Sequence, residues 1–375
     1  MAVKIVRQAN KIALIGVPSS AGAHGMGTER APAALRAAGL VDRLREAGYD
    51  VTDLGDCPQQ NFQTDDEHPR TRNLSGVLAA LNALKPLVEQ ATKSGALPLI
   101  LGGDCTLTLG TIAGVRRYFK AASLVWLDRD ADLNVPATSP SGCLHGMVVA
   151  HIIGRGAPEL VRFWGEPPLV REPDLALFGI DRFDPPEQEV LDRTPLRRYT
   201  ARDVQRRGAA AAAENALERI HAGTNQVILH FDVDAISSEE FAAADVPAPG
   251  GLVLSEVRQA LEVFAREKNL GAFEVAEYNP ERDPDGSAAR LLVDVIVAAL
   301  AGRLAALAAP PAEAKLEPAA EPAKPAASSP VAPELAEAPA AEPVEPVSEA
   351  AAEEPAADKS AAAESAAPAD EGAGS

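Results

Sequence analysis

The chain has 375 residues, 35 of them basic and 54 acidic, for a formal net charge of −19, a balance that excludes a nucleic-acid phosphate footprint and an anionic membrane surface as partners. Residues 310–375 hold 14 of the acids, 3 of the bases, 12 of the 31 prolines and no aromatic residue. Such a segment buries too little apolar surface to offset its ordering entropy and reads as a disordered Ala/Pro/Glu-rich acidic tail, which leaves residues 1–309 as one mildly acidic folding unit.

In chain order, the N-terminal segment MAVKIVRQANKIALIGV has basic residues but no apolar run closed by a small-residue cleavage site, so no secretory leader is expected. KIALIGV at 11–17 predicts a first strand, followed by a Gly/Ser loop and helical spacing over 31–48. A short strand is expected at 50–54, a helix over 74–93, and an apolar run at 99–101 that leads into Gly102-Gly103. Further strands are predicted at 123–128, 175–180, 226–232 and 271–275, with helices between most of them and a last one over 287–307. No run approaches the roughly 18 apolar residues that span a bilayer. Three cysteines, Cys57, Cys105 and Cys143, are too few for a disulfide framework, and a reducing, cytoplasmic setting is expected. The tail is expected to be solvated, with an interaction or tethering role as the alternative. Near-continuous apolar strands separated by helices imply an α/β fold with a parallel sheet covered on both faces, and ligands in such folds bind at the carboxyl ends of the strands.

Three of those ends are rich in acid: Gly102-Gly103-Asp104-Cys105, LDRDADLN at 127–134 and HFDVD at 230–234. In extended chain, alternate residues face the same way, so Asp128, Asp130 and Asp132 are expected to point together, as are Asp232 and Asp234, while Arg129 points away. Five converging carboxylates repel one another unless cations sit among them. Oxygen donors at this density suit hard divalent ions, two of which can share bridging carboxylates. The alternative is a set of helix caps and solvated loop acids, but two D-x-D units beside a Gly-Gly-Asp loop favour metal.

These segments resemble the arginase (ureohydrolase) family. The landmarks stand in order over most of 11–309: IALIGVPSSAG, GGDCTLTLGTIAG, DRDADLN, TSPSGCLHG, FGIDRFDPPEQE, HFDVDAIS, GGL at 250–252 and EVAEYNP. The resemblance implies a three-layer α/β/α fold with a central parallel sheet of about eight strands. It implies a two-Mn²⁺ site that generates hydroxide to attack a guanidinium carbon, and a homo-oligomer. Asp128 and Asp232 match positions that bridge both metals, and Asp132 and Asp234 match single-metal positions. His145 matches the proton-shuttling histidine, and Glu277 the carboxylate that receives the guanidinium. Asn134, Ser141, Asp184 and Glu187, with Ser139 in the same loop, match contacts to the α-carboxylate and α-amino group of L-arginine.

Two positions depart from the family pattern, which has histidine where this chain has Cys105 and Asp130; a family asparagine is also Cys143 here. Four carboxylates and two neutral imidazoles carry −4 and balance two divalent ions, whereas five carboxylates and a thiolate carry −6. Three resolutions are open: a proton stays on Cys105 or Asp130, one metal position is weak or empty, or a softer ion such as Zn²⁺ or Fe²⁺ takes the thiolate. Cys105 is as readily a space-filling buried thiol as a ligand. Three functions follow. The first is a metal-dependent hydrolase of L-arginine or a related guanidino amino acid, releasing urea. The second is a catalytically impaired relative that binds an amino acid or a partner without hydrolysis. The third is an enzyme of the same fold with a changed metal or reaction.

Overall fold

The central strands form because short runs are apolar on both faces, which only a sheet covered by helices on each side can bury. The structure, a computed structural model, describes residues 5–220 and 226–309; the tail expected over 310–375 lies outside them. Its strands are β1 Lys11–Gly16, β2 Asp50–Asp56, β3 Leu97–Leu101, β4 Ser123–Leu127, β5 Leu175–Ile180, β6 Arg197–Thr200, β7 Val227–Asp232 and β8 Leu270–Ala276. All pair in parallel, in the order β2-β1-β3-β8-β7-β4-β5-β6. Every residue of β3, β4, β5, β7 and β8 is buried. Leu99, Val125, Leu127 and Phe231 face one core layer, whereas Ile100, Leu124, Trp126 and Ile228 face the other. The expected α/β architecture, with a parallel sheet of eight strands between helical layers, is what the residues build.

Several local expectations change. Edge strand β6 was not predicted, because only Tyr199 of its four residues is buried and two arginines mask the pattern. The helical stretch over 31–48 is two helices, Ala31–Ala37 and Leu40–Glu46, parted at Gly39, whose φ of 87° is left-handed and cheap only for glycine. The last helix, Ser287–Ala308, corrects the statement that no run suits a bilayer: its 22 residues are long and apolar enough to cross one. In the fold it lies against the helix Leu254–Ala265 and buries Leu292, Val293, Ile296 and Leu300, with Arg303 donating to the Ala265 carbonyl at 2.8 Å. Composition alone does not separate a core helix from a span.

One buried base gives the fold a pH signature. His151, on the helix Val148–Ile152, is 0% exposed, and burial lowers its pKa to about 4 against a small pull from the Met147 backbone. The unfolded chain therefore binds a proton that the folded chain refuses between about pH 6.5 and 4. The stability involved is fully present above pH 6.5 and is lost as pH falls toward 4, by roughly 3 kcal/mol. Urea denaturation of His151→Leu at pH 7.5 and 4.5 should show a loss smaller than wild type by that order; parallel losses would contradict the assignment.

Candidate active site

The carboxyl ends of β3, β4, β5, β7 and β8 lie side by side at the middle of the sheet, and their loops enclose a cavity of about 320 Å³. Every candidate residue named from the sequence lines it: Cys105, Asp128, Asp130, Asp132, Asn134, Ser139, Ser141, His145, Asp184, Glu187, Asp232, Asp234 and Glu277. His24 and Arg182 line it too, and neither was singled out.

The carboxylates converge, but not by the expected alternation. The chain leaves the strand after Leu127, and Asp132 is left-handed with φ 50°; Val233–Ala235 is a short 3-10 turn. The Asp130 amide donates to Asp128 Oδ1 at 2.7 Å, and the Asp234 amide to Asp232 Oδ1 at 2.7 Å, so each D-x-D folds back on its first acid. Arg129 does not simply point away. Its Nη1 donates to the Ala248 carbonyl at 2.7 Å, and its Nη2 lies 3.7 Å from Asp234 Oδ2. Burial, then mutual repulsion, holds Asp128, Asp132 and Asp232 well above the usual carboxylate range. Asp128 Oδ2 and Asp234 Oδ1 are buried without a hydrogen-bond partner among the described residues. Acceptors left in that state are met by a proton, a water or a cation.

One such cation belongs to the protein. Arg182, just past β5, grips Asp130 through two N–H groups, with Nε 2.5 Å from Oδ1 and an Nη bond to Oδ2. Asp234 and Asp128 lie in the same field and help hold the guanidinium pKa above its ordinary value. A ligand role for Asp130 must therefore compete with a bidentate ion pair. Cys105 is 1% exposed, and its thiol donates to Asp232 Oδ2 at 3.0 Å. Burial, followed by the charges of Asp232 and Glu277, pushes that thiol well up. All three cysteines are free.

Glu277 has φ 64° and is locked from both sides. Its amide donates to the Gly103 carbonyl at 2.8 Å, and its Oε1 accepts from the Cys105 amide at 2.9 Å and faces His145 Nδ1 at 3.1 Å. Its Oε2 is buried and has no hydrogen-bond partner among the described residues. His145 Nε2 lies 2.7 Å from Nδ1 of the exposed His24. Burial works to discharge His145, but the Glu277 charge and hydrogen bond outweigh it and push the pKa up to about 10. Burial and the neighbouring His145 push His24 down to about 4. These shifts favour the proton on His145, and a His145 charged in this way donates from Nδ1 to Glu277 and from Nε2 to a neutral His24.

At the rim, Asp184 caps the helix Pro185–Arg193, and Glu187 closes the capping box. Glu187 accepts from the Asp184 and Leu133 amides at 2.7 and 2.8 Å, which ties this helix to the loop after β4. Asn134 Nδ2 donates to Asp184 Oδ2 at 3.0 Å. Ser139 and Ser141 accept from the Gly142 and Cys143 amides at 3.0 and 3.2 Å, which leaves their hydroxyl hydrogens to donate. The sequence signal for Arg182 is the −6 charge count, part of which a basic side chain can offset. His24 left no sign beyond a Gly-rich loop after β1.

A model of the arginase family matches residues 10–302. The arginase of Bacillus caldovelox is 32% identical over 284 residues, covering 75% of this chain and 95% of the relative. Among solved structures, arginase from Bacillus subtilis superposes with a TM-score of 0.72 at 30% identity, covering 78% of this chain and 98% of that one. Entamoeba histolytica arginase, solved in complex with L-ornithine, gives 0.71 at 27% identity, with 77% and 98% covered. With its sheet order, its acid-lined cavity and these matches taken together, the chain belongs to the arginase family.

Proposed function

We propose that this protein is a metal-dependent hydrolase that cleaves the guanidino group of L-arginine or a related guanidino amino acid and releases urea. The observation that carries the reading is one cavity that combines a buried carboxylate oxygen without a hydrogen-bond partner among the described residues, a histidine paired with that carboxylate and a rim of hydroxyl, amide and carboxylate groups. Ser139, Ser141 and Asn134 supply donors for an α-carboxylate, and Asp184 and Glu187 supply negative charge for an α-ammonium. Glu277 Oε2 accepts from a guanidinium, a charge-assisted contact that orients the carbon to be attacked. His145 gives its Nε2 proton, directed at His24 before the substrate binds, to the departing amine. A donor pKa of about 10 is close to that of an alkylammonium, so the transfer is nearly balanced, and His24 returns a proton from the exposed side. The relative solved with L-ornithine, the amino acid left when urea departs from L-arginine, supports this substrate class. Three buried free thiols suit a reducing cytoplasm.

A divalent cation, when bound among the acids, lowers the pKa of water and supplies hydroxide near pH 7. The donors here suit a pair of Mn²⁺ ions poorly, because Arg182 already engages Asp130 and sulfur is a weak manganese ligand. That ion pair also favours the second reading, an amino-acid binder that does not hydrolyse.

Urea release from L-arginine and from agmatine, which lacks the α-carboxylate, tests the substrate assignment. L-arginine should win by at least about 100-fold in kcat/KM, the size of one or two lost charged hydrogen bonds. Equal rates would overturn the amino-acid assignment. L-arginine binding without urea would favour the second reading.

A further inference from the structure

Beneath the carboxylates lies a buried imidazole that the mechanism above leaves unused. His230 stands two residues before Asp232 on β7, in register with Trp126 of β4 and Glu274 of β8. Trp126 stacks on its ring at 3.7 Å with 8° between planes. Its Nδ1 faces Glu274 Oε1 at 2.8 Å and Thr108 Oγ1 at 3.0 Å. His230 and Glu274 are both 0% exposed, in a sheet layer that is otherwise apolar, and burying such a pair carries a desolvation cost. Donation of the Nδ1 proton to Glu274 fixes the tautomer and leaves Nε2 with its lone pair, and Nε2 has no hydrogen-bond partner among the described residues. A ring nitrogen of His230, Cys105 Sγ and oxygens of Asp128 and Asp232 all lie within 4.8 Å of one another. A carboxylate at one nitrogen of an imidazole, with a thiol and two acids within 4.8 Å of the ring, is the kind of arrangement that backs metal-bound histidines.

We propose that this chain binds one borderline divalent cation, of the class of Zn²⁺, Co²⁺ or Fe²⁺, on Cys105, Asp128, Asp232 and His230, with Glu274 positioning the imidazole and the Arg182 guanidinium standing in for a second cation among Asp128, Asp130 and Asp234. This deepens the hydrolase reading and rests on it only for the place of the cation. One sulfur, one nitrogen and two oxygens make a four-coordinate set that borderline ions accept and manganese does not favour. The charge count is matched as well. Over the same six acidic groups, which carry −6 when fully ionised, one divalent ion together with Arg182 beside Asp130 and Arg129 beside Asp234 supplies +4, as much as two divalent ions would. As the Sγ–metal bond forms, the Cys105 S–H bond breaks and its proton leaves to solvent, with no change in oxidation state. At the second position, oxygens of Asp128, Asp130 and Asp234 lie within 4.8 Å of one another, and Arg182 holds Asp130 through both its oxygens.

The test is a Co²⁺ titration of the chelator-stripped full-length chain, followed by absorbance. One equivalent should bind, with a thiolate-to-cobalt band in the near ultraviolet and the intense visible bands of four-coordination, and Zn²⁺ should displace it. Cys105→Ser should lose the near-ultraviolet band. His230→Asn, which keeps an N–H toward Glu274 but no ligand at Nε2, and Glu274→Gln should each weaken Co²⁺ binding by about 10–100-fold. Arg182→Ala should gain an Mn²⁺ site that wild type lacks. If His230→Asn does not fold, as judged by circular dichroism of the apo form, Cys105→Ser and Glu274→Gln decide the matter. Two Mn²⁺ per chain without a thiolate band, no retained metal, or unchanged Co²⁺ affinity in the folded variants would each overturn the proposal. Urea release with two Mn²⁺ bound would end this proposal and leave the hydrolase reading standing; a one-cobalt chain with these dependences that yields no urea would do the reverse.

Discussion

Glu277→Gln should lower kcat/KM for L-arginine by about 10²–10³-fold while leaving the fold intact, the scale expected when one partner of a buried charge pair is removed. The size follows from how completely the carboxylate is built in. It is 3% exposed and held through Oε1 by the Cys105 amide and His145, while Oε2 faces the cavity without a hydrogen-bond partner among the described residues. The amide keeps the shape and the backbone contact but gives up the charge that a guanidinium pairs with. A second readout separates this role from a purely structural one. Because Glu277 is the main influence that raises His145 to about 10, against burial that lowers it, the histidine in Glu277→Gln should titrate well below that value. Its imidazole resonances, followed by NMR across pH 5–11, give the direction. An unchanged His145 titration, or an unchanged kcat/KM, would contradict the assignment.

The double variant Cys105→His, Asp130→His should take up two Mn²⁺ per chain and release urea from L-arginine faster than wild type in Mn²⁺ buffer. Four carboxylates and two neutral imidazoles balance two divalent ions, and the sulfur that manganese disfavours is gone. Asp130→His also removes the bidentate partner of Arg182, freeing the guanidinium to swing toward solvent, where it is already about half exposed. Asp130→His is therefore the more important of the two changes for the second ion. Cys105→His alone should remove the preference for borderline metals without adding a second Mn²⁺. Elemental analysis of the three variants and wild type, dialysed side by side, reads the stoichiometry directly. A double variant that binds two Mn²⁺ and still makes no urea would show that the pocket around Glu277 and His145 does not serve guanidino hydrolysis.

Much of this arrangement is legible in the sequence. Strands such as VILHFD and SLVWL are apolar on both faces, so they stand out from the amphipathic helices between them, and the acids that follow them fall where parallel sheets bind ligands. The two D-x-D units come together for a reason other than period-two alternation: both segments turn back after their strands, and a backbone amide caps the first acid of each. Arg182 was not legible as the partner of Asp130. The two are 52 residues apart and meet only because the loops after β4 and β5 run side by side, with Asp130 and Arg182 forming a bridge. His230 lies inside the HFDVD motif, where the aspartates carry the stronger metal-ligand signal. Its partner Glu274 sits in the strand LGAFEVA, where a lone acid among apolar residues reads as an exposed position until the fold buries it. Edge strand β6 was missed because an edge needs only one buried side chain, and Tyr199 gives no alternation to see.

The central claim, that this cavity hydrolyses a guanidino group, is tested most directly by urea release from L-arginine with the full-length chain loaded with Co²⁺, Zn²⁺, Fe²⁺ or Mn²⁺ in separate reactions. Steady urea production is expected with at least one of the borderline ions, and its loss in Glu277→Gln. No urea with any of the four ions, from a folded chain that holds metal and binds L-arginine, would contradict it.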